Sequence, residues 1–196
     1  MYKAALDAFA QEGFDRASMD KIAKQLNTGG GALYRYVENK EKLFHFVAEV
    51  LLYKQARDLN ESLSSGLKGG GEENIISRIY IAASRALIER TPMEYKFSLK
   101  ALFEFGGVET KKEFYRRYYE TLSAPIAEAL KRGVESGELS ANIDLTLASA
   151  MILETISRLD GVNGFSYLAF RLPEGENKEK RIDGLVKLFY EGLRPR

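Results

Sequence analysis

The sequence predicts an all-α protein. Apolar residues recur at intervals of three and four along most of the 196 residues, which is the period of an amphipathic helix. No run alternates apolar and polar residues convincingly enough to indicate a half-buried strand. Glycine or proline marks the ends of several helical stretches. We therefore expect a set of packed helices rather than a fold built on a sheet.

Composition limits the possible functions. Hydrophobic residues make up 45% of the chain, while charged residues make up 29% with a net charge of +1, so nucleic-acid binding would need a local surface. The absence of Cys and the single His45 exclude Cys-based sites and His clusters, and we expect no cofactor and no metal. No apolar run approaches the roughly 18 residues of a membrane span, and the N-terminus lacks a signal-peptide core. The expected location is the cytoplasm.

The first helix is expected over residues 1–12, with Tyr2, Leu6 and Phe9 at helical spacing and Gly13 as its stop. Residues 18–42 then predict two short helices joined by a tight turn. The first of these carries one apolar stripe: Met19, Ile22, Ala23 and Leu26.

The first helix of this pair has recognisable start and stop signals. Ser18 precedes the stripe, where a hydroxyl can cap the first turn, and Asn27 tolerates the left-handed conformation of a helix exit. The second helix begins near Gly30, with Leu33 and Val37 pointing inward and a polar face of Tyr34, Arg35 and Tyr36. Two helices, a short turn and exposed aromatic and basic groups describe a helix-turn-helix that could enter a DNA groove.

The remaining helices follow in order. One long helix is expected over residues 41–65, and a flexible, glycine-rich break from Ser64 to Gly71 lacks the pattern of a phosphate loop. Further helices are expected at 72–90, 95–105, 110–136, 144–160 and 178–193. Pro92 suits a new helix start, and Pro125 should kink or interrupt the helix that contains it.

The N-terminal residues resemble the DNA-binding domain of the TetR family of transcriptional regulators. The matching segments are Ala4-Ala5-Leu6, Phe9, Gly13-Phe14, Ala17-Ser18-Met19, Ile22-Ala23, Gly31-Ala32-Leu33-Tyr34, Tyr36-Val37 and Lys40-Glu41-Lys42-Leu43. The resemblance implies a three-helix DNA-binding domain at residues 1–43 and a helical effector-binding and dimerisation domain at 44–196. It also implies a regulator, most often a repressor in this family, that binds a palindromic double-stranded operator as a homodimer.

The resemblance also implies site residues. Tyr34, Tyr36, Lys40 and Ser18 are expected to hold the phosphate backbone, and Arg35 to read base edges. The amides of Gly30 and Gly31 could approach a phosphate closely.

A small apolar or aromatic effector is implied for the second domain. Aromatic residues cluster between positions 95 and 119, and Tyr95, Phe103, Tyr115 and Tyr118 are the expected pocket walls, although on composition alone they could equally fill a core. The dimer is expected to form through the last two helices, with these residues facing the partner: Ala148, Ile152, Ile156, Leu159, Ile182, Leu185, Val186 and Phe189.

Two other classes of function were weighed. An enzyme is not expected, because no nucleophile and base occur at a recognisable spacing. The alternative to a regulator is a helical small-molecule-binding protein that has lost operator recognition. It is suggested by Gly29 and Gly30, which stand where most relatives have Ser or Thr followed by a polar or basic residue.

Overall fold

A computed structural model describes residues 1–28, 30–68, 73–88, 91–103, 108–159 and 178–195, and all regular secondary structure in these ranges is α-helical. The fold class predicted from the sequence is confirmed. The helices are α1 (Tyr2–Arg16), α2 (Met19–Gln25), α3 (Gly30–Tyr34), α4 (Lys40–Gly66), α5 (Ile75–Ile88), α6 (Pro92–Phe103), α7 (Val108–Glu135), α8 (Leu145–Leu159) and α9 (Lys178–Leu193).

Several helix boundaries differ from the sequence prediction, among them the start of α5 at Ile75 and the start of α6 at Pro92. α1 consists of two helical segments that meet at Gly13, whose φ of 79° and ψ of 171° are not helical, so the regular helix breaks there as predicted and a short helical turn follows to Arg16. α6 begins at Pro92 rather than Tyr95, because Thr91 and Glu94 cap it reciprocally. The Thr91 backbone N–H donates to Glu94 Oε2 at 3.1 Å, and the Glu94 N–H donates to Thr91 Oγ1 at 3.2 Å.

Pro125 does not interrupt its helix. α7 runs as one helix from Val108 to Glu135 with Pro125 inside it. The proline removes one backbone hydrogen bond, but Leu122 and Ile126 beside it are completely buried. Their burial favours the helical conformation on both sides of the proline.

The chain forms two compact units, and the first comprises the described residues of Met1–Lys54 and Arg90–Tyr118. Its core joins α1, α2, α3, the first half of α4, and α6. At its centre the ring of Phe44 lies 5.1 Å from that of Phe9 and 4.9 Å from that of Phe97. A bond from Lys54 to the buried carboxylate of Glu94 also ties α4 to the start of α6.

The second unit comprises the described residues of Gln55–Glu89 and Tyr119–Arg196. Here α5 packs against α8 and α9. Tyr80 on α5 is completely buried, its hydroxyl lies 2.6 Å from Thr155 Oγ1, and its ring lies 5.8 Å from that of Phe189. Because the Thr155 hydroxyl donates to the Met151 and Ile152 carbonyls, Tyr80 is the donor in this bond.

The compact units do not coincide with the predicted division at residue 43. α6 belongs with the N-terminal helices, because Phe97 and Ala101 are buried in the same core as Phe9 and Phe44. The division at 43 concerns function and stays a prediction. Among the described residues, no helix is long and apolar enough to cross a membrane, and no group of His, Cys, Asp or Glu could hold a metal ion.

Candidate nucleic-acid interface

The turn between α2 and α3 is built by α2's own C-terminus. The Thr28 N–H donates to the Ala23 carbonyl at 3.0 Å, and the Asn27 N–H donates to that of Lys24 at 3.1 Å. Asn27 has the left-handed φ of 53° that this Schellman arrangement needs. The expected conformation of Asn27 is confirmed, and it redirects the chain towards α3.

Ser18 takes the expected position but not the expected bond. It is the N-cap residue of α2 with extended φ and ψ of −117° and 130°. Its half-buried side chain makes no capping hydrogen bond with the described backbone of α2. The hydroxyl is therefore not committed to this helix.

The segment after the turn combines exposed polar side chains with apolar side chains that pack into the core. Leu33 is buried and Val37 packs partly against the same core. Tyr34 and Tyr36 are 51% and 80% exposed, and Arg35 is exposed between them. α3 ends at Tyr34, and the N–H groups of Tyr36 and Val37 both donate to the Leu33 carbonyl, so Arg35 and Tyr36 lie just beyond the helix.

The predicted glycines are placed only in part. Gly31 is exposed, and a Cβ built there meets nothing within 4 Å, so space does not require a glycine at this position. Gly30 begins α3, whereas Gly29 lies outside the described residues.

Lys40, expected at a phosphate, makes contacts inside the domain. Its Nζ donates to the Asp15 carbonyl at 3.1 Å and to the Ala17 carbonyl at 3.2 Å. The same ammonium lies 4.7 Å from the centroid of the Phe14 ring. Sequence reasoning missed these contacts, because Lys40 is 23 and 25 residues away from the two acceptors.

Other charges near this surface are partly balanced. Lys21 on α2 pairs with Glu12 at 3.2 Å, so a basic side chain on this helix is already neutralised in part. Asn39 caps α4, with its Oδ1 accepting the Lys42 N–H at 2.8 Å.

The residues predicted to contact the effector differ in their burial. Tyr118 is buried, Tyr95 and Tyr115 are half-buried, and the side chain of Phe103 lies outside the described residues. Two grooves are bounded by described residues, one between α4 and α5 and one between α8 and α9, and neither is lined by Tyr95, Tyr115 or Tyr118.

The residues predicted to form the dimer interface differ in their burial within the single chain. Ala148, Ile152 and Ile156 are buried within the single chain, as is Val186. Leu185 and Phe189 are half-buried, while the side chains of Leu159 and Ile182 lie outside the described residues.

The outward apolar residues of the same two helices are Leu147 and Met151 on α8 and Leu188 on α9, which are 58%, 48% and 69% exposed. All three line the groove between these helices, together with Phe189. The helical spacing identified the apolar helices correctly. It did not show which apolar residues the chain itself covers.

Residues 2–47 match the sequence profile described as bacterial regulatory proteins, tetR family. An uncharacterized HTH-type transcriptional regulator of Bacillus subtilis, YhgD, is 26% identical over 161 residues, which are 78% of this chain and 80% of that protein. The fatty acid metabolism regulator protein of the same organism is 27% identical over 159 residues, 78% of this chain and 76% of the relative.

Solved structures share the fold. Salmonella enterica GusR superposes with a TM-score of 0.69 at 18% identity, covering 97% of this chain and 95% of its own. The fatty acid degradation regulator FadR from Bacillus halodurans superposes with a TM-score of 0.67 at 18% identity, covering 98% and 97%. The sequence match and the helix-turn-helix described above identify residues 2–47 as a DNA-binding domain of the TetR family of transcriptional regulators, and the chain is similar to such regulators over most of its length.

Proposed function

We propose that this regulator is a cytoplasmic, homodimeric repressor that binds a palindromic operator through residues 1–43. The observation that carries the proposal is the run Tyr34, Arg35 and Tyr36, which is exposed while Leu33 and Val37 hold the segment to the core. Arg35 reads base edges in the major groove, since arginine suits guanine best, and the tyrosines hold phosphates.

Residues 44–196 carry effector binding and dimerisation in this proposal. The run Tyr34–Tyr36 is called the reading segment. A dimer presents its two reading segments to half-sites about 34–36 Å apart, so a small change in the separation of the segments weakens binding. α4, a single helix from Lys40 to Gly66, begins directly after the reading segment and is suited to transmit such a change. An effector that favours the mis-spaced conformation lowers the population that can bind DNA.

The effector is proposed to be a small apolar molecule derived from a fatty acid. Relatives described as fatty acid metabolism and fatty acid degradation regulators support this choice. The aromatic residues Tyr95, Phe103, Tyr115 and Tyr118 remain the proposed contacts, because aromatic side chains with polar tips can hold an apolar body and orient its polar end.

Selection of binding sites from random duplex DNA tests DNA recognition. We expect a palindrome to be enriched. Arg35→Ala should then lose about 1–3 kcal/mol of discrimination at one position of each half-site. Arg57→Ala is the matched control, because Arg57 is an exposed arginine on α4 outside the reading segment. Failure of the parent to enrich any sequence would instead support a ligand-binding protein without operator recognition.

Release from the selected duplex tests the effector. Fatty acids of 8 to 18 carbons and their methyl esters would be titrated into the complex, with sugar phosphates of similar mass as controls. We expect the apolar series alone to release the protein, with an affinity that rises with chain length as more apolar surface is buried. Release by the phosphates and not by the apolar series would contradict the proposed effector class.

A further inference from the structure

We infer that Lys40 is a positioning residue that clamps the connection between α1 and α2 and so sets the start of the DNA-binding helix pair. This inference rests on the proposed DNA-binding function. Its starting point is the position of Lys40 as the first residue of α4. A cation there is disfavoured by the positive end of the helix dipole, so its presence calls for a compensating partner.

The C-terminus of α1 provides that partner. The Asp15 carbonyl is in the last turn of α1, where backbone acceptors lack partners within the helix, and the Ala17 carbonyl belongs to the C-cap residue. The Lys40 ammonium lies 3.1 Å and 3.2 Å from these two oxygens. One side chain thus joins the end of α1 to the start of α4.

The Phe14 ring completes the clamp. Phe14 is held against Phe9 and Phe44, with ring centroids 6.2 Å and 5.5 Å apart, and it presents its face to Lys40 at 4.7 Å. The kink at Gly13 immediately precedes this ring. The residue after the clamped Ala17 is Ser18, the N-cap of α2. Fixing residues 14–17 therefore fixes where α2 begins.

The clamp predicts an effect on DNA binding that differs from that of a phosphate contact. Two of the three ammonium N–H groups are engaged by the Asp15 and Ala17 carbonyls. Loss of the clamp should weaken operator binding roughly tenfold, because the helix pair must then be ordered on the DNA. It should leave the salt dependence unchanged, whereas loss of a phosphate contact lowers the slope of log K against log salt by about 0.9.

Lys40→Met and Phe14→Leu are the test variants, and Lys42→Ala is the control for removing a positive charge from the first turn of α4. Phe14→Leu changes no charge, so it cannot remove an ionic contact to phosphate. Binding would be titrated on one selected duplex between 50 and 200 mM salt. Hydrogen exchange of the Ala17 amide, which donates to the Gly13 carbonyl at 3.2 Å, would be measured without DNA.

We expect both test variants to bind the duplex more weakly with an unchanged salt slope. The Ala17 amide should exchange faster in both, whereas Lys42→Ala should leave its exchange unchanged. If Lys40→Met does not fold, Phe14→Leu gives the same readouts. A slope reduced by about 0.9 in Lys40→Met with Ala17 exchange unchanged would overturn the clamp and make Lys40 a phosphate contact. A parent that binds no duplex would refute the proposed function, while the exchange data would still decide whether the clamp exists.

Discussion

Gly13 illustrates how one residue directs the first helices. Its φ of 79° and ψ of 171° fall in a region that is accessible essentially to glycine alone. The kink lets α1 continue to Arg16 while Phe14 turns towards Phe9 and Phe44. The sequence predicted a stop of the helix at Gly13, and the structure breaks the regular helix at this residue.

Gly13→Ala should lower the free energy of unfolding by about 1–3 kcal/mol, because alanine must then adopt a strained conformation. Gly184→Ala is the matched control. Gly184 lies within α9, and a Cβ built there meets nothing within 4 Å. This second change should increase stability by about 0.5–1 kcal/mol, because alanine lowers the conformational entropy of the unfolded chain and favours the helix more than glycine does. Urea unfolding of the two variants would measure both effects, and equal stability losses would contradict the account of Gly13.

Glu94 is a buried carboxylate of the first unit, with 5% of its surface exposed. Burial acts to raise the pKa of its carboxyl, but hydrogen bonds from Lys54 and from the Thr91 backbone outweigh burial and leave the pKa below its ordinary value. A lowered folded pKa means that the ionised form stabilises the fold at pH above about 4.3, the unperturbed value for glutamate. That stability is lost as the pH falls through the folded pKa.

Glu94→Gln should therefore cost about 1–2 kcal/mol at pH 7, and the cost should shrink as the pH approaches 3. Measurements of the unfolding free energy at pH 7, 5, 4 and 3 would give the difference between variant and parent at each pH. Glu61→Gln, at an exposed position on α4, should change stability little at any of these values. A cost for Glu94→Gln that stays constant with pH would show that its charge is not what stabilises the cap.

At the scale of elements, α4 combines an apolar face with one polar interruption. Leu51, Leu52, Leu59 and Leu63 are buried along this face, and Gln55 lies among them with 4% of its surface exposed. Its Nε2 has no hydrogen-bond partner among the described residues. An unsatisfied buried amide lowers stability, since the group has left water without a replacement bond.

Gln55→Leu should raise the free energy of unfolding by about 1 kcal/mol, because the substitution continues the apolar face and removes the unsatisfied donor. Asn60→Leu, at an exposed position on the same helix, should stay within about 0.5 kcal/mol of the parent. Thermal or urea unfolding would rank the two. A destabilised Gln55→Leu would indicate that the amide has a partner that the leucine cannot replace.

At the scale of the whole molecule, the exposed apolar residues of α8 and α9 support the proposed homodimer. Leu147, Met151 and Leu188 lie along one groove, and covering such a surface is the usual way in which a chain removes it from water. The interface proposed from the structure is thus displaced around α8 from Ala148, Ile152 and Ile156, which the chain itself buries.

Leu188→Glu should convert the dimer to a monomer at micromolar concentration, because a carboxylate in an apolar interface loses its hydration without gaining a partner. Tyr53→Glu, which replaces another exposed large side chain, on α4, should remain dimeric. Light scattering of the parent and both variants measures the outcome. A monomeric parent would remove the dimer and the requirement for a palindromic operator.

The sequence by itself determined the helices and the helix-turn-helix. These features depend on residues within a few positions of one another: the three-to-four period and Asn27 at the exit of α2. The exposed run of Tyr34, Arg35 and Tyr36 followed from the same local pattern, because Leu33 and Val37 define the buried side.

Only the tertiary structure decided what depends on contacts between distant residues. Phe97 draws α6 into the core of the first unit, and Lys40 reaches Asp15 and Ala17 across more than twenty positions. Helical spacing marks a side chain as apolar but does not say which neighbour covers it. For that reason Ile152 could be assigned to a helix from the sequence, while its burial within the chain required the packing of α8 to be known.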